Sequence, residues 1–122
     1  MLRYVPIVLS ALALVACAGQ QDKWNQRLDW AQTGLTIAKG GITVYAALKP
    51  CGPENPSKVC QQPGAVEEAT RAAESLQLLI RLGRDTVNNV YSDASDRDKA
   101  VQAAIEAAAT LTAIGVKYGI FQ

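Results

Sequence analysis

Few side chains of this 122-residue chain could perform chemistry. The chain has no histidine, the commonest general base and the commonest metal ligand. Glu67, Glu68 and Glu74 could be proposed as paired carboxylates, but Arg71 follows Glu67 by four residues and favours a solvated helix face with an ion pair. Neither a P-loop nor a dinucleotide-binding glycine pattern occurs. We therefore expect a protein that is not an enzyme and that holds no cofactor.

The first residues have the pattern of an export signal. Arg3 precedes an uncharged apolar run over residues 5–16. This run is shorter than the stretch of about 20 residues that spans a bilayer as a helix. A basic start, a short apolar run and closing small residues are typical of a secretory signal. The run ends in Leu14-Val15-Ala16-Cys17.

That tetrapeptide resembles the lipobox of bacterial lipoprotein precursors, and all four of its positions fit. The resemblance covers the signal alone and implies that Cys17 receives a diacylglycerol and further acyl groups such as palmitate. Cleavage would follow Ala16, and several acyl chains would form a stable anchor. Because Ala18 rather than Asp follows Cys17, the resemblance implies, for a Gram-negative host, the periplasmic face of the outer membrane. An ordinary cleaved signal and an uncleaved helix are the alternatives.

Cys51 and Cys60 are the cysteines that remain when Cys17 is lipidated. The segment between them contains two prolines and no helical period, and two cysteines in an oxidising periplasm should pair. A structural zinc site needs four Cys or His ligands, which this chain cannot supply. A redox couple would favour the spacing C-x-x-C. We predict a structural disulfide and no metal site.

Composition and charge limit the classes of partner. The net charge is +1, and it becomes zero when Arg3 is removed with the signal. Nucleic acid is therefore excluded as the main partner, because a phosphate-binding surface needs clustered Lys and Arg. The predicted organisation is a signal over residues 1–16, a lipidated tether over 17–22 and one small domain over 23–122.

Helix one is predicted from about Asp22 to Leu48, where Pro50 ends it because the residue before a proline leaves the helical region. Residues 42–45 are rich in β-branched side chains and follow two glycines, so this is where the helix would fail. One helix face carries apolar residues at alternating intervals of 4 and 3: Trp24, Leu28, Ala31, Leu35, Ala38, Ile42 and Tyr45.

Helix two is predicted from Pro63, which suits a first helical position, to about Tyr91. Glu67 and Glu68 fall in its early turns, where acidic residues are favoured. Its apolar seam has the same alternating intervals: Val66, Ala69, Ala73, Leu76, Ile80, Gly83, Val87 and Val90.

Helix three is predicted to follow a turn at residues 92–95 and to extend to about Tyr118. Ser95 and Asp98 form a variant of the capping box. Its seam consists of Val101, Ala104, Ala108, Leu111, Gly115 and Tyr118. Short turns make consecutive helices antiparallel neighbours, so we predict an all-α fold, a small antiparallel three-helix bundle with one disulfide-closed loop between helices one and two.

Apolar residues outside the seams exceed what a thin core of Ala and Gly needs: Trp30, Ile37, Val44 and Leu48 in helix one, and Leu78, Leu79 and Leu82 in helix two. They suggest that helix one is central and buried on two sides. Ordinary packing is one interpretation, and an exposed patch for a partner or for self-association is the other.

Two glycine-containing segments leave alternatives open. Residues 30–48 contain one charge, Lys39, and could be a close-packed helix, a helix broken at Gly40–Gly41, or a membrane span. Polar residues in this segment and its minimal length count against a span. At the C-terminus, Gly115 and Gly119 could form a dimer contact with Ile120 and Phe121 as an anchor, although a fraying end with a glycine cap is the favoured interpretation.

These observations predict a membrane-anchored envelope lipoprotein with a non-catalytic helical domain that binds, scaffolds or inhibits an envelope partner. The partners would be the membrane, through the lipid, and an envelope protein or a second copy of the chain. No small-molecule substrate is evident. The alternative is a small lipoprotein that perturbs membranes or blocks superinfection by inserting its glycine-rich helices into the bilayer.

Overall fold

Three α-helices form the body of the protein: α1 (Val5–Ala46), α2 (Ala65–Asn88) and α3 (Ala94–Lys117). The computed structural model describes residues 5–53 and 59–121, with side chains from residue 20 onward. Within these residues no strand occurs, and Pro50 and Gln61 form an isolated bridge in the first loop. Each helix contacts both of the others. The predicted three-helix bundle is confirmed.

Most residues of the predicted seams are buried in the core. All seven seam residues of helix one are buried, and the largest fully buried side chains come from all three helices: Leu28, Leu35, Leu76, Val87 and Val101. Small residues let the helices approach closely. A Cβ atom at Gly83 would lie 2.9 Å from Leu28 Cδ2, so a larger residue there would displace the buried Leu28 side chain.

α1 begins earlier than predicted. It starts at Val5 rather than near Asp22, so residues 5–16 of the predicted signal and the predicted tether over residues 17–22 lie in one continuous helix. The reason is that residues 7–18 contain neither glycine nor proline and are rich in Ala and Leu, which favour helix, while Pro6 falls in the first turn, where proline is tolerated. Cleavage after Ala16 and lipidation of Cys17 stay predictions, because the Cys17 side chain lies outside the described residues.

α1 ends at Ala46, two residues before the predicted end. Leu48 N donates to Tyr45 O at 3.0 Å, a tighter turn than that of an α-helix, and Pro50 follows. Gly40 and Gly41 do not break the helix. Residues 42–45 are helical because Ile42 and Tyr45 are buried in the core, and burial outweighs the weak preference of β-branched residues for strands.

α2 is shorter than predicted at both ends. Gly64, with φ 76°, takes the left-handed conformation before the helix, so Pro63 lies in the preceding turn and not at the first helical position. At the other end Asn89 is extended, and its Oδ1 accepts from Tyr91 N at 3.0 Å, which replaces the helical hydrogen bond. Val90 is therefore 82% exposed and does not belong to the seam.

α3 begins with a different cap from the predicted one. Asp93 is the N-cap, and its Oδ1 accepts from Asp96 N at 2.7 Å. Ser95 lies inside the first turn, and Asp98 accepts instead from Trp24 Nε1 at 2.6 Å. A carboxylate at an N-cap both satisfies a free N–H group and complements the positive end of the helix, which explains why Asp93 takes this position.

The end of α3 is ordered by a glycine and is not frayed. Gly119 is left-handed with φ 68°, Ile120 N donates to Gly115 O at 2.7 Å, and Gly119 N donates to Val116 O at 3.1 Å. These two bonds define a Schellman motif. They return the chain toward the bundle, and Ile120 and Phe121 pack against the core.

α1 is not the central helix, contrary to the prediction. Trp30, Ile37 and Val44 are 64%, 69% and 71% exposed. α2 and α3 make the most extensive contact of the three helix pairs. The three helices form a triangle in which each has one buried face, so the second apolar face of α1 is left uncovered.

Candidate binding surface

Cys51 and Cys60 form a disulfide that closes the loop between α1 and α2, with their Cα atoms 4.9 Å apart. Main-chain hydrogen bonds support it: Cys51 N donates to Gln61 O at 2.9 Å, and Gln61 N donates to Lys49 O at 2.8 Å. The disulfide predicted from the sequence is thus present in the loop, and neither cysteine is a free thiol.

Two side chains attach this loop to the end of α1. Gln61 Nε2 donates to Ala46 O at 3.0 Å and to Leu48 O at 3.3 Å, which satisfies carbonyl groups that the helix end leaves free. The hydroxyl of Tyr45, which is buried, accepts from Gln62 N at 2.7 Å. The described part of the loop is therefore attached to the end of α1 by side-chain hydrogen bonds.

The three candidate carboxylates lie in different surroundings. Glu67 and Glu74 are exposed, and the predicted ion pair between Glu67 and Arg71 is not among those of the described residues. Glu68 instead accepts a short hydrogen bond from the Tyr118 hydroxyl, and Lys117 Nζ lies 3.7 Å from its Oε2. Tyr118 and Lys117 lie at the end of α3, which packs against α2, so both can reach Glu68. An ion pair between two exposed residues of one helix, such as Glu67 and Arg71, adds little stability.

The Glu68 cluster also affects Lys117. The contact of Lys117 with Tyr118 and then the charge of Glu68 raise the pKa of the Lys117 ammonium above its usual range. Its Nζ lies 4.8 Å from the centre of the Tyr118 ring. The Lys117 ammonium therefore stays charged at neutral pH, and this cluster joins α2 to the end of α3.

A second polar cluster joins α1 to the start of α3. Trp24 Nε1 donates to Asp98 Oδ1 at 2.6 Å, and the Arg97 guanidinium lies 5.6 Å from the centre of the Trp24 ring. Arg97 Nη2 also donates to Asn89 O at 2.8 Å. Sequence analysis missed these contacts, because the residues that make them lie far apart along the chain. The cluster joins α1 to the start of α3.

A stripe of alternating large and small residues follows the exposed side of α1. It consists of Trp30, Gly34, Ile37, Gly41 and Val44, and we call it the outer stripe. Its intervals are 4, 3, 4 and 3, so the five residues share one helix face, distinct from the buried seam. The three large members are more than half exposed.

A groove of about 580 Å³ lies beside the outer stripe, between α1 and α3. Trp30 and Ile37 form its α1 rim, and the Phe121 ring lies at Gly41, where an added Cβ atom would be 3.2 Å from it. The remaining lining residues are small or apolar, apart from two threonines: Ala31, Thr33, Gly34, Ala38, Leu76, Ala108, Leu111 and Thr112.

The groove is lined mainly by small and apolar residues. None of its lining residues is charged. Within the described residues, no group of His, Cys, Asp or Glu could hold a metal ion. Within the same residues, no helix is long and apolar enough to cross a membrane. This site suits the apolar face of a partner, with the threonine hydroxyls as its polar groups.

Sequence analysis identified the large residues of the outer stripe as surplus apolar residues but did not connect them with the glycines. The sequence does contain the pattern that would have identified the stripe: a second set of residues spaced alternately by 4 and 3 positions, offset from the buried seam. The α3 side of the groove and the Phe121 ring could not be found this way, because the packing of three helices brings them to α1.

Comparison with protein families, with curated proteins and with solved structures gives no match to this chain.

Proposed function

We propose that this chain is a lipid-anchored lipoprotein of the bacterial envelope whose non-catalytic helical domain binds a protein partner through the outer stripe and its groove. The observation that carries the binding role is the exposure of Trp30, Ile37 and Val44 on one helix face, at 64%, 69% and 71%. A large aromatic side chain alone offers about 150–250 Å². The stripe therefore reaches a few hundred Å², the size of patch that marks interaction sites.

The anchoring role is supported by the lipobox resemblance at Cys17. The outer stripe begins thirteen residues after Cys17 on the same helix, or about 20 Å along it at 1.5 Å per residue. A domain attached in this way has its binding surface close to the membrane, which suits a partner in the envelope.

The anchoring part is tested with Cys17→Ser. We expect this variant of the full chain to leave the membrane fraction, while Cys51→Ser stays with the membranes because it removes only the disulfide. Mass spectrometry of the native polypeptide should show a start at Cys17 with acyl chains. A chain that begins at Met1, or an unmodified Cys17, would contradict the proposal.

The binding part is tested by placing a photo-crosslinking amino acid in the full chain at position 37 or, as a matched control, at position 36. Ile37 and Thr36 are neighbours and both exposed, but only Ile37 belongs to the outer stripe. We expect a discrete protein adduct from position 37 and none from position 36. Equal labelling, or adducts with lipid alone, would overturn the protein-binding role, and lipid adducts would favour the membrane-perturbing alternative.

A further inference from the structure

We propose that the gap between Gly41 of α1 and Gly115 of α3 is a binding slot for one aromatic side chain. Phe121 fills this gap, which we call the ring slot, and an aromatic residue of the envelope partner takes its place on binding. The inference rests on the proposed role of the outer stripe and its groove, and it names the chemistry of the residue by which the partner is anchored.

Two glycines form the walls of the ring slot. One edge of the Phe121 ring, Cδ1 and Cε1, faces Gly41, where an added Cβ atom would lie 3.2 Å from both atoms. The opposite edge, Cδ2 and Cε2, faces Gly115, where an added Cβ atom would overlap the ring. Both walls are therefore helix backbone, and the gap between them has the width of a six-membered ring. A narrower aliphatic side chain would lose its contacts with one wall.

The ring slot opens into the groove beside the outer stripe. Phe121 is half-buried, and it lines the groove together with Gly41. Ile37, on the rim of the groove, precedes Gly41 by one helical turn, or about 6 Å along α1 at 1.5 Å per residue. A partner that packs against Ile37 is therefore within reach of the slot. At Gly34, in contrast, an added Cβ atom would meet nothing within 4 Å, so the chain itself leaves that part of the groove open.

The Phe121 ring can leave the slot without disrupting the cap of α3. In the Schellman motif, Ile120 N donates to Gly115 O at 2.7 Å and Gly119 N donates to Val116 O at 3.1 Å. Both bonds are made by residues that precede Phe121, so rotation of its side chain preserves them. A phenyl ring carries no donor or acceptor group and is held by packing. An aromatic ring from a partner restores the same packing, so the exchange leaves no polar group unsatisfied.

Occupation of the slot by Phe121 lowers the affinity for the partner. A ring on the same chain is present at a high effective concentration, and the apparent Kd rises by the inverse of the fraction of molecules whose slot is free. Removal of the ring should therefore tighten partner binding. Loss of an ordinary packing residue would have the opposite effect or none, and this difference makes the inference testable.

The test measures binding of N-acetyl-phenylalaninamide, a soluble analogue of an aromatic residue, to the full chain in lipid nanodiscs by saturation-transfer NMR. Phe121→Ala should bind the analogue roughly tenfold more tightly than the unsubstituted chain, because its slot is free. Val116→Ala is the matched control, since it removes an exposed apolar residue of α3 that does not line the groove. It should bind like the unsubstituted chain, and N-acetyl-alaninamide should bind to none of the three.

A second pair of variants locates the bound ring. In the Phe121→Ala background, Gly41→Leu should abolish binding because the leucine side chain fills the slot. Gly40→Leu should preserve it, because an added Cβ atom there meets nothing within 4 Å. Circular dichroism should show equal helix content in these variants. Equal binding by Phe121→Ala and Val116→Ala, or equal loss with the two leucine substitutions, would overturn the inference.

A further measurement does not depend on the folding of Phe121→Ala. Phe121 is the one phenylalanine of the chain, so growth on 4-fluorophenylalanine gives a single ¹⁹F signal from the ring. Addition of N-acetyl-phenylalaninamide should move this signal toward that of the urea-unfolded chain, in which the ring is in solvent. A signal that does not move up to the solubility limit of the analogue would contradict the exchange.

Photo-crosslinking from position 37 distinguishes this inference from the proposed function. In the native host, Phe121→Ala should raise the yield of the protein adduct about threefold over Val116→Ala, because the partner finds the slot free. Equal yields would leave the outer stripe as a protein-binding surface and would overturn the exchange at the slot. Absence of any protein adduct would overturn the proposed function, and binding of the analogue would still decide whether the slot accepts an aromatic ring.

Discussion

At the residue scale, the Phe121 side chain holds the segment after α3 against the bundle. Its ring lies over Gly115 and beside Gly41, so it contributes both to the core and to the groove. Gly115 is buried, and a Cβ atom there would overlap the ring. The glycine is therefore required by a close approach within the bundle, unlike Gly34.

This contact predicts that Gly115→Ala destabilises the protein only while Phe121 is present. We expect a loss of about 1–3 kcal/mol in the free energy of unfolding, because the methyl group displaces the ring. In a Phe121→Ala background the same change should be neutral or stabilising by up to about 1 kcal/mol, since alanine favours helix over glycine. Urea unfolding of the four chains measures this coupling. Additive effects would show that the ring does not occupy this site.

At the scale of the element, the start of α3 depends on a single carboxylate. Asp93 accepts from Asp96 N at 2.7 Å, whereas Ser95, two residues later, is already helical and exposed. Contacts of Asp98 and Arg97 with Trp24 then join this end of α3 to α1. The cap thus determines where the helix begins and which of its residues reach α1.

Asp93→Ala should therefore lower the free energy of unfolding by about 1 kcal/mol, the usual cost of losing an N-cap. Ser95→Ala is the matched control and should change stability by less than about 0.5 kcal/mol, as expected for an exposed site. Thermal unfolding followed by circular dichroism compares the two. A larger loss in Ser95→Ala than in Asp93→Ala would mean that the helix begins at the position predicted from the sequence.

At the scale of the whole molecule, a thin core makes the disulfide important. Several buried positions are Ala, such as Ala69, Ala73 and Ala104, and these bury little apolar area per residue. The Cys51–Cys60 disulfide closes a loop between α1 and α2 with a sequence separation of 9. Small domains with limited cores commonly depend on such crosslinks.

Reduction of this disulfide should lower the melting temperature by roughly 10 °C or more, because 1 kcal/mol corresponds to about 4–8 °C in a domain of about 100 residues. On the chain-entropy account, closing a loop of about ten residues contributes roughly 2.5–3 kcal/mol. Scanning calorimetry with and without reductant measures the shift. The double variant Cys51→Ser/Cys60→Ser should melt at the temperature of the reduced protein, and reductant should not change its melting temperature. If the oxidised and reduced proteins melt together, the disulfide does not stabilise the fold.

The helical fold and its buried seams were predictable because both depend on local periodicity. In α1, the seam predicted from intervals of 4 and 3 has seven residues, and all seven are buried. The helix ends were less predictable, since Asp93 and Ser95 are equally suitable caps by residue type. Only the hydrogen bond from Asp96 N distinguishes them.

The sequence by itself determined three helices, the disulfide-closed loop between the first two, and a surplus of apolar residues on α1. These follow from spacing and side-chain chemistry, which a single chain carries locally. Only the tertiary structure decided that the surplus is exposed, because burial depends on which helix faces meet. With three helices in a triangle, α2 and α3 cover one face of α1 and leave Trp30, Ile37 and Val44 uncovered. The same packing brings Phe121 to Gly41, a contact between residues eighty positions apart that no local pattern encodes.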